Sequence, residues 1–158
     1  MKVSRFNIRV YILLLDEPNA RVLLSDEIVD GEYITKFPGG GLETGEGILD
    51  CLYREAREEL GQEVEVLRQF YTSETFQVSR YRPEDQIICV YYICRLPCNG
   101  EGQRQPLFRV TEQKFDFVEI YDRAESFRWQ SLADLQAEDL SLPLDRLVVS
   151  RLLAEHPT

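Results

Sequence analysis

The stretch Phe37-Pro38-Gly39-Gly40-Gly41 constrains the fold more than any other, because a proline and three glycines end one kind of structure shortly before another begins. Ahead of it lie short runs with strand character: Phe6 to Val10 alternates, Tyr11 to Leu15 is wholly apolar, and Arg21 to Leu24 and Tyr33 to Phe37 follow. The turns between them fall at Asp16-Glu17-Pro18-Asn19 and at Asp30-Gly31. Pro38 to Gly41 is not expected to continue a strand. From Gly47 onward, Ile48, Leu52, Ala56 and Leu60 recur four apart on one face, the spacing of an amphipathic helix. Both helix ends are marked, by Gly47 as N-cap with Asp50 in the first turn and by Gly61 as the stop.

Downstream, Val64 to Tyr71 and Gln86 to Leu96 read as strands, the second apolar enough to be central. Pro97 to Pro106 is a long loop. Phe115, Phe117 and Val118 to Ile120 suggest a further strand, and Ser131 a cap for a short helix through Leu135. Pro143 opens a last helix whose Leu144, Leu147, Val148 and Leu152 share a face. With no repeat or linker in view, the expectation is one α/β domain, residues 1–158, with a mixed sheet packed between helices.

The 158 residues are 44% apolar, enough for one core without disulfides. Cys51, Cys89, Cys94 and Cys98 form no Cys-x-x-Cys pair and the one histidine is His156, so reduced structural thiols are expected rather than a zinc site. Lys2, Arg5 and Arg9 interrupt the apolar N-terminal run, which excludes a signal-peptide core or membrane span there and places the expected site of action in the cytosol. A formal charge of -10 argues against nonspecific binding to nucleic acid or an anionic membrane. An acidic protein that acts on an acidic substrate needs a cation between them.

The helix supplies a place for one. Glu55, Glu58 and Glu59 are three and four residues apart, so their carboxylates crowd together. Three glutamates at such spacing are ordinarily a solvated face. Here they follow a glycine loop whose backbone can approach a ligand, and Glu43 and Glu46 add acid to that loop. Hard oxygen donors select magnesium, with manganese as a substitute. Arg54, one turn before Glu58, can hold that carboxylate.

The sequence Gly40, Glu46, Arg54-Glu55-Ala56-Arg57-Glu58-Glu59-Leu60-Gly61-Gln62 resembles the signature of the Nudix hydrolases in every charged and glycine position. It departs at two positions where that family prefers larger aliphatic residues, which are Ala56 and Gln62 here. Phe37-Pro38-Gly39-Gly40 and Phe127-Arg128-Trp129-Gln130-Ser131-Leu132 extend the likeness on either side. The resemblance implies a Nudix-type α/β/α sandwich and metal-dependent hydrolysis of a phosphoanhydride in a nucleoside diphosphate linked to another moiety. It also implies Glu58 and Glu59 as main metal ligands, Glu55 as a further ligand or base, the Gly40 carbonyl as part of the shell, and Arg54 and Glu46 as orienting groups. Some members take a base or ligand from a later loop, where Glu125 and Asp122 are the candidates.

Lys36, Arg9 and Gly41 are candidates for contact with substrate phosphates, and Trp129, Tyr81 and Phe76 for stacking on a base. Two other readings stand beside the enzyme: a nucleotide sensor without turnover, and a related isomerase that would need Cys51 as an activated thiol. The apolar strand Ile87 to Ile93 and the loop Pro97 to Gln113 together suggest a homodimer.

Overall fold

The computed structural model describes residues 2–156. Its strands are β1 (Arg5–Asp16), β2 (Arg21–Val29), β3 (Glu32–Lys36), β4 (Gly39–Gly41), β5 (Glu65–Thr72), β6 (Asp85–Arg95), β7 (Val110–Thr111) and β8 (Glu125–Ser131). Two helical elements flank them: α1 (Ile48–Glu55), which runs straight into a wider π-helical turn at Ala56–Leu60, and α2 (Pro143–Glu155). The sheet order is β5-β6-β1-β2-β8-β7, with β3 on β2 and β4 on β1. It is mixed, because β1 lies parallel to β6 and antiparallel to β2 and β4.

The wholly apolar half of β1 is explained by two cores. Val10, Ile12 and Leu14 pack with Cys51, Leu52, Ala56 and Leu60 under α1, while Tyr11, Leu13 and Leu15 pack with Leu144, Val148, Val149 and Leu152 of α2. Side chains that alternate across a strand serve both layers only if each layer is covered, which gives an α/β/α sandwich. Burial of each large apolar side chain contributes roughly 1.5–3 kcal/mol.

The helix expected from Gly47 to Gly61 is present, with the Gly47 amide donating to Asp50 at 2.9 Å and Gly61 in the left-handed region at φ 65°. Its second half was not foreseen as a π turn. Residues four apart drift about 40° per step around a 3.6-residue helix. The wider turn takes that drift back, so that Leu52, Ala56 and Leu60 all reach the core.

Three sequence expectations are corrected. Gly39–Gly41 is a strand after all, paired with Arg9, Val10 and Tyr11. Only glycine permits it at Gly39, where φ is 145° and a Cβ would lie 2.1 Å from the Val10 carbonyl oxygen. Phe115 to Ile120 is no strand: Phe115 has a positive φ, Phe115 and Phe117 pack on Tyr33, and Val118 and Ile120 are exposed. Ser131 ends β8 instead of capping a helix, and a turn leads on to a short 3-10 segment at Ala137–Asp139.

The strand expected to favour a dimer, β6, lies between β5 and β1, with Cys89, Tyr91 and Ile93 inside the α2-side core. The inward side of the strand is therefore taken up within the chain, whereas Leu107 in the loop that shared the expectation is exposed. Among the described residues no helix is long and apolar enough to cross a membrane.

Candidate active site

The two halves of the sheet share β1 but part beside it. β4 pairs with Arg9 to Tyr11, whereas β2 meets β1 only at Leu15 and Asp16. A cleft of about 1320 Å³ opens in the gap, lined by β1, the β2–β3 hairpin, the glycine strand, the helix glutamates and the segment Gln77 to Arg82. The expected Arg9, Lys36, Gly40, Gly41, Arg54, Glu55, Glu58, Glu59 and Glu125 all line it.

Arg54 organises one wall. Its guanidinium donates to both Glu46 oxygens (3.0 and 2.7 Å), to Glu55 Oε1 (2.9 Å), to Glu58 Oε2 (3.2 Å) and to the Gly41 carbonyl (2.9 Å). Five N–H groups in a rigid fork suit such a hub. The Arg54 hydrogen bonds, with one from the Glu43 amide, hold the Glu46 carboxyl down to about 2.

Glu55 is pressed onto the glycine strand: a Cβ at Gly40 would sit 2.3 Å from its Oε1. Glu59 reaches the same strand from the next turn and accepts a hydrogen bond from the Gly39 amide at 3.1 Å. Burial pushes the Glu59 carboxyl up, against the pull of Lys36, and Glu27 and Glu55 push it further. Glu58 is largely exposed.

Among the described residues no three acidic, histidine or cysteine side chains converge as a ready-made ligand set, since Arg54 holds Glu55 and Glu58 while Gly39 holds Glu59. The donors nevertheless fit a hard divalent cation. They are all oxygens, a Gly40 backbone without a Cβ lies against one of them, and a buried glutamate beside two like charges is disfavoured as an anion until a cation arrives.

Across the cleft the β2–β3 hairpin and β8 place the expected Lys36 and Glu125 beside Glu27 and Ser25, two groups that the sequence pattern does not reveal. Lys36, nearly fully buried, lies with its Nζ 3.0 Å from Glu27 Oε2 and 5.6 Å from the centre of the Tyr11 ring. Burial would push its ammonium down, but Glu59 and Glu27 outweigh that and hold it up. Glu125, expected on a loop, is the first residue of β8 and stands directly opposite Glu27 in the β2–β8 register. The Ser25 hydroxyl lies 3.1 Å from both carboxylates. Burial first, then Glu59 and Glu27, push the Glu125 carboxyl well up. A signal for Glu27 existed: in a hairpin turning at Asp30-Gly31 it is a same-face diagonal neighbour of Lys36. It was hidden because β2 had been read as ending at Leu24.

Arg9 donates from Nε to the Tyr11 hydroxyl at 3.1 Å and lines the cleft. Of the stacking candidates Tyr81 lines the cleft, whereas Trp129 lies under Arg21, 4.7 Å from ring centre to guanidinium, and Phe76 is exposed. Asp122 accepts from the Gly31 amide at 3.2 Å. Cys51 is buried and its thiol is pushed up to about 12, chiefly by burial, the opposite of an activated nucleophile. Gln62, where an aliphatic residue was expected, is buried and accepts from the Leu107 amide at 2.7 Å, so it anchors the loop after β6.

The glycine strand, the arginine hub and the glutamate helix thus surround one cleft of an α/β/α sandwich. Residues 5–151 match the NUDIX domain model, and the chain is a member of the Nudix hydrolase family. An RNA pyrophosphohydrolase of Helicobacter pylori (strain P12) is 40% identical over 70 residues, 44% of this chain and 45% of that one. Another, from Campylobacter jejuni subsp. jejuni serotype O:23/36 (strain 81-176), is 30% identical over 101 residues, 60% and 65% of the two. The chain thus spans about half to two thirds of the length of these relatives. Among solved structures, a NUDIX hydrolase from Nitrosomonas europaea superposes with TM-score 0.67 at 16% identity, covering 94% of this chain and 89% of the other. The MutT NUDIX hydrolase of Burkholderia pseudomallei does so with TM-score 0.64 at 17% identity, covering 94% and 99%.

Proposed function

We propose that this Nudix hydrolase cuts a phosphoanhydride bond in a nucleoside diphosphate linked to another moiety, with Mg2+ as cofactor and Mn2+ able to replace it. The observation that carries the reading is the placement of Glu55 and Glu59 against the Gly39-Gly40 backbone, with Arg54 tying Glu55, Glu58 and Glu46 together.

Glu55, Glu58, Glu59 and the Gly40 carbonyl would hold the divalent ion, which when bound neutralises phosphate charge and acidifies the attacking water. Glu55 is the first choice for the proton acceptor. Glu125 is the second, because its buried place opposite Glu27 favours a proton already on it. Among the described residues Arg9 has one side-chain hydrogen bond, to Tyr11, which leaves guanidinium donors for a phosphate beside Gly41.

A second reading, hydrolysis at the 5′-terminal phosphates of RNA, is favoured by the name of the matched relatives and by Arg80, Arg82 and Arg123, which line the same cleft on an otherwise acidic chain. It would replace the expectation that nucleic acid is not a partner.

The test is a panel of nucleoside triphosphates, diphosphate-linked nucleotides and a 5′-triphosphorylated oligonucleotide, assayed with Mg2+ for released phosphate products. Turnover of a mononucleotide derivative above the oligonucleotide supports the first reading, and the reverse order the second. Tight nucleotide binding with no turnover would establish the sensor reading instead.

A further inference from the structure

Two cations of the cleft flank the Tyr11 ring: the Arg9 guanidinium carbon lies 5.8 Å from its centre and the Lys36 Nζ 5.6 Å. They differ in what engages them. Lys36 is held by Glu27 at 3.0 Å, with both side chains buried. Arg9 makes no ion pair among the described residues, and its one side-chain hydrogen bond runs from Nε to the Tyr11 hydroxyl at 3.1 Å. Its Nη1 lies beside the glycine strand, where a Cβ at Gly41 would be 3.3 Å away. A half-buried guanidinium without an anion, in a chain of net charge -10, is costly until an anion comes to it.

Tyr11 fixes the direction of that guanidinium. Arg9 and Tyr11 are two apart on β1 and share a face, opposite Gly41 and Gly39 of β4. The Tyr11 side chain is itself locked: it is buried, its ring centre lies 5.2 Å from that of Tyr91, and its Cδ1 would be 2.8 Å from a Cβ at Gly39. A hydroxyl on so confined a ring has one place to be. Because it accepts from Nε, the Nη1 and Nη2 groups of Arg9 are left as the free fork, a geometry that matches two phosphate oxygens.

We propose that Tyr11 is a positioning residue for substrate phosphate: its hydroxyl holds Arg9 so that the Nη1–Nη2 fork receives a phosphate of the diphosphate beside Gly41. The inference rests on the phosphoanhydride reading above and extends it to the residue that sets this cation in place. Tyr11 itself touches no phosphate. Removing its hydroxyl frees the arginine to rotate, so that binding must then order it.

The test is a double-mutant cycle, read by calorimetric binding of inorganic diphosphate with Mg2+ to the full chain, for wild type, Tyr11→Phe, Arg9→Met and the double variant. Tyr11→Phe keeps the buried ring and is expected to weaken diphosphate about 3- to 10-fold. Arg9→Met should weaken it on the order of 10²-fold. The double variant should bind no more weakly than Arg9→Met alone, because a hydroxyl that acts through Arg9 then has nothing to hold. On the panel compound that wild type cuts fastest, the effect of Tyr11→Phe should fall on KM and not on kcat, a split that general loosening of the fold would not give. Unchanged affinity in Tyr11→Phe would overturn the proposal, and so would a double variant weakened by the product of the two single factors. Wild type that binds diphosphate no better than Arg9→Met would overturn it too, by removing Arg9 from the phosphate. The hydrolase reading fails separately, on absence of turnover across the panel; the expected cycle in such a protein would still support the Tyr11–Arg9 pairing at a phosphate site.

Discussion

Two charge networks on the β2–β8 pair behave in opposite ways. In the first, Asp26 accepts from Arg128 Nε at 2.8 Å, from the Thr35 hydroxyl at 2.7 Å and from the Phe115 amide at 3.3 Å, with both charged side chains almost wholly buried. One anion meets one cation and the remaining lone pairs are occupied. Glu27, the next residue of β2, and Glu125, three residues before Arg128 on β8, form the second network, with Lys36 as the near cation. There the acids outnumber the base. A closed network fixes strands and the β8-side loop, while an open one, excessively negative at the floor of a cleft, is suited to take up a cation. The same residue types serve as scaffold or as site according to whether their charges balance.

The comparison is broken most sharply by substitutions that should act on the cleft only or on the closed network only. Glu58→Gln or Glu59→Gln is expected to lower kcat by on the order of 10²-fold or more, through loss of ligand charge, with little change in melting temperature. Wild-type kinetics in both variants would move the site elsewhere. Arg128→Leu should do the reverse. Stranding Asp26 costs about 3–5 kcal/mol of stability in denaturant unfolding, while the folded fraction keeps its kcat. A stable but inactive Arg128→Leu protein would show that the closed network also serves the chemistry.

Glu125→Gln sits between these extremes. If Glu125 assists water attack, kcat falls while Mn2+ affinity is nearly kept, whereas Glu59→Gln loses both together. An unchanged kcat would leave the base on the helix, at Glu55.

The smallest effect concerns Asp145 in the first turn of α2, which accepts from the Tyr91 hydroxyl at 2.6 Å and from the Phe37 amide at 3.3 Å. Burial raises its carboxyl from the usual 3.8 to about 6. The folded chain then holds this proton more tightly than the unfolded chain. The group's contribution is complete below the unfolded value and is lost as pH rises through the folded one. Asp145→Asn should therefore gain on wild type by about 1–3 kcal/mol between pH 4 and 7 in unfolding experiments. A difference that stays flat with pH would mean that Asp145 is not protonated in the fold.

The contrast between the networks also marks what the sequence could reveal. The Arg54 hub was legible because Glu46, Arg54, Glu55 and Glu58 lie within one loop and one helix, where spacing alone brings side chains together. Asp26 with Arg128 and Glu27 with Glu125 are joined by strand pairing across about a hundred residues, and no local period reports that register. The strand pattern of β2 fades after Leu24 in the sequence, which leaves Glu27 outside any element there although the strand runs on to Val29. The glycine strand was misread for a related reason: Gly39 to Gly41 pairs because β1 needs a partner that can come close, which is a property of the neighbour rather than of the segment.

The central claim is that the helix glutamates Glu55, Glu58 and Glu59 act through a divalent cation. It is tested by the initial rate of phosphoanhydride hydrolysis on the panel with Mg2+, after excess chelator, and after Mg2+ is restored. The expected result is turnover that falls to background in chelator and returns in full with the ion. Undiminished turnover in excess chelator would contradict it.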